Sequence, residues 1–154
     1  MRIVRASRRH LSPLAALMAA SPLLRRYRVT SATATASLAE AVRARDIVLV
    51  ALEGDAAVGL AWIIPTRALD DAAYLRLLLV SATARSRGVG AALLAQGERE
   101  ARARHCRHVM LLVTRTNHRA RSFYERHGYR HVGDLPGFIR RGITESLYLK
   151  SRRA

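Results

Sequence analysis

Y74-L-R-L-L-L-V-S-A-T-A-R-S-R-G-V-G-A-A-L-L-A-Q-G97 is an apolar run followed by an Arg/Gly turn and then by helix-forming sequence. Six of the seven residues from Tyr74 to Val80 are apolar, and Ser81 and Thr83 bound the run. Periodicity alone does not separate such a run from a buried helix, but its length favours a buried strand. Beyond Arg85, Gly88 and Gly90 remove Cβ atoms where the backbone must turn and approach something closely, and Val89 to Arg104 has helical composition. The stretch therefore predicts strand, turn and helix. A glycine-rich helix N-terminus flanked by Arg85 and Arg87 offers unpaired backbone N–H groups and the positive dipole end to a phosphate.

The turn lacks the G-x-x-x-x-G-K-[ST] pattern of a nucleoside-triphosphate loop, and it lacks the third glycine and following acidic residue of a dinucleotide fingerprint. What remains is R85-x-x-G88-x-G90 directly after a strand ending at Val80. Further on come H108-V-M-L-L-V-T114, Asn117, Ala120 and F123-Y-E-R-H-G-Y129. Taken together, in this order and spacing, these segments resemble the GNAT superfamily of N-acetyltransferases, over about Tyr74 to Lys150. A lone R-x-x-G-x-G would be weak evidence; the combined set is specific.

The resemblance implies one α/β domain over residues 1–154, with a mixed central sheet flanked by helices. It also implies acetyl-CoA as cosubstrate. Backbone N–H groups of Arg85, Ser86, Arg87, Gly88, Val89, Gly90 and Ala91 would cradle the pyrophosphate. Backbone groups around Leu78, Leu79 and Val80 would meet the thioester, where the central strand splays from its parallel neighbour. Asn117 would bond the pantetheine arm or an ordered water, a role that its use as a helix N-cap equally well explains. Tyr124 is the expected catalytic residue, its hydroxyl aimed at the CoA sulfur. As a general acid, a phenol of pKa about 10 can protonate a thiolate whose thiol pKa is about 8.5.

Charge raises a rival. The formal net charge is +16, and basic surfaces supply most non-specific nucleic-acid affinity. However, Lys150 is the only lysine, so the charge is almost wholly arginine spread along an alanine-rich chain. Aromatics are only 5% of residues and do not interleave with a basic stretch, which argues against a nucleic-acid module. A positive cleft would also raise the encounter rate with polyanionic acyl-CoA. A non-catalytic CoA-binding or nucleic-acid-binding module on the same fold stays as the alternative, because fold does not fix function.

At 154 residues, one domain with a substantial core is expected. Cys106 is the sole cysteine, so no disulfide framework or cysteine metal site is expected. The six histidines lack metal spacing apart from a loose His105/His108 pair, so no metal is expected. Without a signal-peptide core or a run of about 18 apolar residues, the expected location is the cytoplasm, away from the membrane. The expected partners are acetyl-CoA and an amine, either a small molecule or a protein amine, and the expected assembly is a monomer or homodimer.

Along the chain, the pattern predicts a strand over Arg2 to Ala6, a helix from near Ser12 ending at Pro22, and a polar loop over Leu23 to Ser37. A second helix follows around Leu38 to Arg45, then strands on either side of Glu53-Gly54-Asp55, a hairpin signal. Gly59 suggests a bulge or a close backbone approach, and Trp62 suits core or cleft wall. In the helix after the loop, Val89, Leu93, Gly97 and Ala101 share a packing face, while Glu98, Arg99, Glu100 and Arg102 are read as solvent-facing. Val109 to Thr114 is read as parallel to the central strand, and Tyr129 to Gly133 with Glu145 to Lys150 as an antiparallel pair. By the resemblance, the connection between the first two helices forms a wall of the acceptor site; Leu23 to Ser37 and Asp134 to Thr144 carry its specificity. A general base is not evident. Tyr74 to Val80 and Ala57 to Ile64 hold no carboxylate, which leaves Glu53, Asp70, Asp71 or a water relay.

Overall fold

A computed structural model describes residues 1–151. One seven-stranded mixed sheet runs in the order β1-β2-β3-β4-β5-β7-β6. Its strands are β1 (Arg2–Arg5), β2 (Ile47–Glu53), β3 (Ala56–Pro65), β4 (Ala72–Val80), β5 (His108–Thr114), β6 (Arg130–Pro136) and β7 (Thr144–Ser151). Helices α1 (Leu11–Ala19), α2 (Pro22–Arg26) and α3 (Ser31–Arg43) precede β2, and α4 (Ala68–Asp71) is one short turn before β4. Helix α5 (Val89–Ala103) connects β4 to its parallel neighbour β5, and α6 (His118–Arg126) follows β5. The α/β class and mixed sheet agree with the expectation.

The two middle strands are apolar on both faces because both faces are covered. Val48, Val50, Leu60 and Trp62 pack with Leu14, Met18, Ala34 and Leu38 of α1 and α3. Leu49, Ala61 and Ile63 pack with Val89, Leu93 and Leu94 of α5. Burying a leucine such as Leu93 contributes roughly 2 kcal/mol, and glycines let the helix sit close. A Cβ on Gly97 would lie 2.5 Å from Ile63 Cδ1, and one on Gly59 would lie 2.8 Å from Leu93 Cδ1. Gly59 also adjoins a bulge, since Ala51 pairs with Gly59 and Leu52 with Ala57.

Two expectations fail. Leu23 to Ser37 is not a loop: Pro22 stands at the start of α2 instead of ending the first helix, and α3 begins at Ser31. The Ser and Thr residues that read as loop formers act as caps. Ser21 Oγ accepts from Leu24 N at 3.4 Å, and Thr30 and Thr33 cap reciprocally at 3.2 and 2.9 Å. Glu98 does not face solvent but is 5% exposed. Lys150 Nζ donates to both its oxygens at 3.0 and 2.8 Å, and Tyr129 Oη donates to Oε1 at 2.9 Å, so the buried charge is paired.

Candidate active site

The site begins at an irregularity in β4. Trp62 pairs with Leu77 but Ile63 pairs with Leu75, so Arg76 is an extra residue in the strand. Arg76 and Leu77 consequently turn to the same side, with the Arg76 guanidinium 4.7 Å from the Trp62 ring centroid. At the same point β4 parts from β5. The parallel ladder runs only from Ala72 with His108 to Leu75 with Leu111, whereas β5 stays paired with β7 through Thr114 and Glu145. The strands therefore open as a V.

That opening is a cavity of about 1220 Å³. Leu78 lines it from β4, Leu112 and Thr114 from β5, and Asn117, Ala120 and Tyr124 from α6 and its cap. Tyr27, Phe138 and Ile139 line it from the connection after α2 and the turn between β6 and β7. The two connections meet, because Arg140 donates to the Arg26 carbonyl oxygen. Phe138 and Ile139 remain 65% and 52% exposed, unusual for such large apolar side chains and suited to the rim of a binding cleft.

Tyr124 is buried against Phe123 and Tyr129, with edge-on ring centroids 5.3 and 5.6 Å away. Burial first, and the nearby Tyr74 phenol second, push its pKa far above the ordinary tyrosine range. Among the described residues no hydrogen bond contributes. It is a protonated donor facing the cavity. Asn117 does cap α6, its Oδ1 accepting from Ala120 N at 3.2 Å, and the same side chain lines the cavity.

The loop lies beside α6. Ser86 and Gly88 take positive φ, +61° and +79°, which swings the backbone into the first turn of α5. Val89 is buried under that turn, while Gly90 and Ala91 are half-buried. A Cβ on Gly90 would sit 3.6 Å from Val80 Cγ2 and 3.7 Å from Phe123 Cζ, so strand, helix N-terminus and α6 converge there. Arg85 is exposed. Arg87 is paired with Glu53 at 2.9 Å. Arg119, not singled out from sequence, donates to Ser86 Oγ at 3.3 Å and brings another cation over the loop. Leu79 points away, into the α1 and α3 core. Leu78, Asn117 and Tyr124 thus share the cavity, and Val80 with Arg85 to Ala91 forms the adjoining rim.

The carboxylates considered from sequence lie elsewhere. Glu53 holds Arg87, Asp70 holds Arg107 at 2.7 Å, and neither they nor Asp71 lines the cavity. The carboxylate that does is Glu145 at the start of β7, 2% exposed. Thr114 Oγ1 donates to Tyr27 Oη at 2.8 Å, and Tyr27 Oη donates its proton to Glu145 Oε1. Burial first, then that bond to Glu145, raises the Tyr27 pKa. Among the described residues no three His, Cys, Asp or Glu side chains form a metal-holding group, and no helix is long and apolar enough to cross a membrane.

Comparison with known proteins gives this fold a family. The acetyltransferase (GNAT) family model matches residues 17–129, and the chain belongs to that family. A Bacillus subtilis protein, YdhI, described as uncharacterized, is 35% identical over 54 residues, 35% of this chain. That match spans about a third of the relative's length, 34%. Among solved structures, a ribosomal-protein-alanine N-acetyltransferase from Brucella melitensis superposes with a TM-score of 0.83 at 21% identity, over 99% of this chain and 100% of that one. An aminoglycoside 6'-N-acetyltransferase complexed with coenzyme A gives 0.82 at 20% identity, over 100% and 99%. At such identities the likeness shows the fold.

Proposed function

We propose that the protein is an acetyl-CoA-dependent N-acetyltransferase that moves the acetyl group directly to a primary amine. The observation that carries this reading is Tyr124, a buried phenol with no hydrogen bond among the described residues, facing the gap where β4 leaves β5. The pyrophosphate would rest on backbone N–H groups from Arg85 to Ala91, at the positive end of α5. Arg119 and Arg85 add charge there. The pantetheine arm would run between the strands past Asn117, with its thioester carbonyl near the backbone of Leu78 to Val80. That stretch of β4 has β3 on one side and, among the described residues, no strand ladder on the other. An amine attacks the carbonyl carbon, the C–S bond breaks, and the leaving thiolate takes the Tyr124 proton. Its raised pKa keeps Tyr124 protonated until then, and the desolvation that raises it also raises the proton affinity of the thiolate in the same cavity.

Thermal shift with acetyl-CoA tests the reading. A ligand at about 100 times its Kd stabilises by roughly 2.7 kcal/mol, so a clear rise in Tm is expected, with release of free thiol once an acceptor is supplied. Duplex DNA at physiological salt serves as the control. A shift with DNA and none with acetyl-CoA would favour a nucleic-acid-binding module.

A further inference from the structure

The cavity has two ends of different character. Tyr124 and Asn117 come from the side of the sheet covered by α5 and α6. Glu145, Tyr27 and the Arg76/Trp62 pair come from the side of α1 to α3. Glu145 is the sole carboxylate among the residues that line the cavity, and three arginines, Arg28, Arg76 and Arg140, line it too. The rest of the second end is largely apolar, with Leu24, Leu135, Phe138 and Ile139 among its surfaces. Glu145 is 2% exposed, yet only its Oε1 is bonded among the described residues, by Tyr27. A buried carboxylate with a free oxygen at a cavity wall is costly unless a cation completes it.

We propose that Glu145 is the subsite for the acceptor's ammonium group and takes its proton, and that the acceptor is a monoamine carried on an apolar body. The proposal rests on the acetyl-transfer reading above. Tyr27, itself held by Thr114, keeps the carboxylate in place, and the free oxygen pairs with the ammonium. One proton passes to Glu145, which leaves a lone pair on nitrogen. That lone pair forms the N–C bond to the thioester carbonyl as the C–S bond breaks. The thiolate takes the Tyr124 proton, and the second nitrogen-bound proton restores the phenol as the amide forms. Glu145 then yields its proton to solvent, so one proton is released per transfer. A polyamine would bring further charges against three arginines with no second carboxylate to receive them, on a protein of net charge +16.

The test titrates 2-phenylethylamine, spermidine and 2-phenylethanol calorimetrically into the wild-type protein saturated with coenzyme A, which cannot react. Phenylethylammonium is expected to bind about 10-fold or more tightly than either of the others, the worth of one charged hydrogen bond. Glu145→Gln, which preserves shape and the acceptor for Tyr27, should abolish that preference over the alcohol while retaining the acetyl-CoA thermal shift. Spermidine binding as tightly as phenylethylamine overturns the proposal, as does undiminished ammonium binding by Glu145→Gln. An acetyl-CoA shift with no amine binding removes the amine subsite alone, whereas absence of the acetyl-CoA shift in wild type removes the acetyl-transfer reading as well. If Glu145→Gln fails to fold, the three wild-type titrations decide.

Discussion

The phenol of Tyr27 donates a hydrogen bond to the carboxylate of Glu145 across 118 positions of sequence, pinning the connection after α2 to the start of β7. Both residues line the cavity, so this contact fixes one of its walls. Tyr27→Phe removes the donor and leaves a buried carboxylate oxygen unsatisfied, which costs on the order of 2 kcal/mol. Glu145→Gln should soften that loss, because a neutral amide oxygen is cheaper to leave unpaired than a carboxylate. Chemical denaturation of both single variants and the double variant checks this, with a coupling of about 0.5 kcal/mol or more expected for residues in direct contact. Strict additivity would mean that the two side chains do not hold each other.

The same contact shows what the sequence could not reveal. The hairpin of β2 and β3 was legible because the apolar run I-V-L-V-A-L is closed by Gly54 and Asp55. The loop, α5 and α6 were legible because each carries a local signal: glycines at a turn, a packing face at helical spacing, an asparagine at an N-cap. Glu145 carries none. T-E-S at the head of a strand looks like a solvated end, and its burial is decided by Tyr27 and Thr114, both distant in sequence. Glu98 misled for the same reason, since the partners that bury it, Tyr129 and Lys150, come from beyond its helix.

The loop gives a prediction that separates binding from folding. Gly90 lies in the first turn of α5, and a Cβ there meets Val80 and Phe123 only at ordinary contact distances. Gly90→Glu should therefore fold at least as well as wild type, because glycine is the poorer helix former by up to about 1 kcal/mol and an acid suits a helix N-terminus. Acetyl-CoA affinity should nevertheless fall by about 10-fold or more, since the carboxylate stands where the pyrophosphate would approach. Calorimetry of the folded variant measures this. Unchanged affinity would reduce the loop to a connector.

Alkaline pH should destabilise the fold through Tyr124 and Tyr129. Both have folded-state pKa values raised above the usual tyrosine, each mainly by burial, with Glu98 adding to the effect on Tyr129. Below about pH 10 the phenols are protonated in folded and unfolded chains alike, so their contribution is fully present. Above it the unfolded chain loses these protons first, and stability falls as pH rises toward the folded-state values. Urea denaturation at pH 8 and above pH 10 should show the loss, and Tyr124→Phe should make the slope shallower. An equal slope in the variant would mean that Tyr124 ionises as readily in the folded protein as in the unfolded chain.

Tyr124→Phe also isolates the chemistry, since it removes one hydroxyl and keeps the ring that packs on Phe123 and Tyr129. The hydroxyl has no hydrogen bond to lose among the described residues, so the variant should melt close to wild type at neutral pH. If the phenol protonates the departing thiolate, kcat should drop by about 10²-fold or more, the usual worth of a positioned general acid. Acetyl-CoA affinity should barely change, because the group acts on charge that appears only as the C–S bond breaks. Single-turnover measurement with the best amine acceptor confirms that acyl transfer is the step observed. Wild-type turnover in the variant would make Tyr124 a packing residue and hand protonation of the thiolate to solvent.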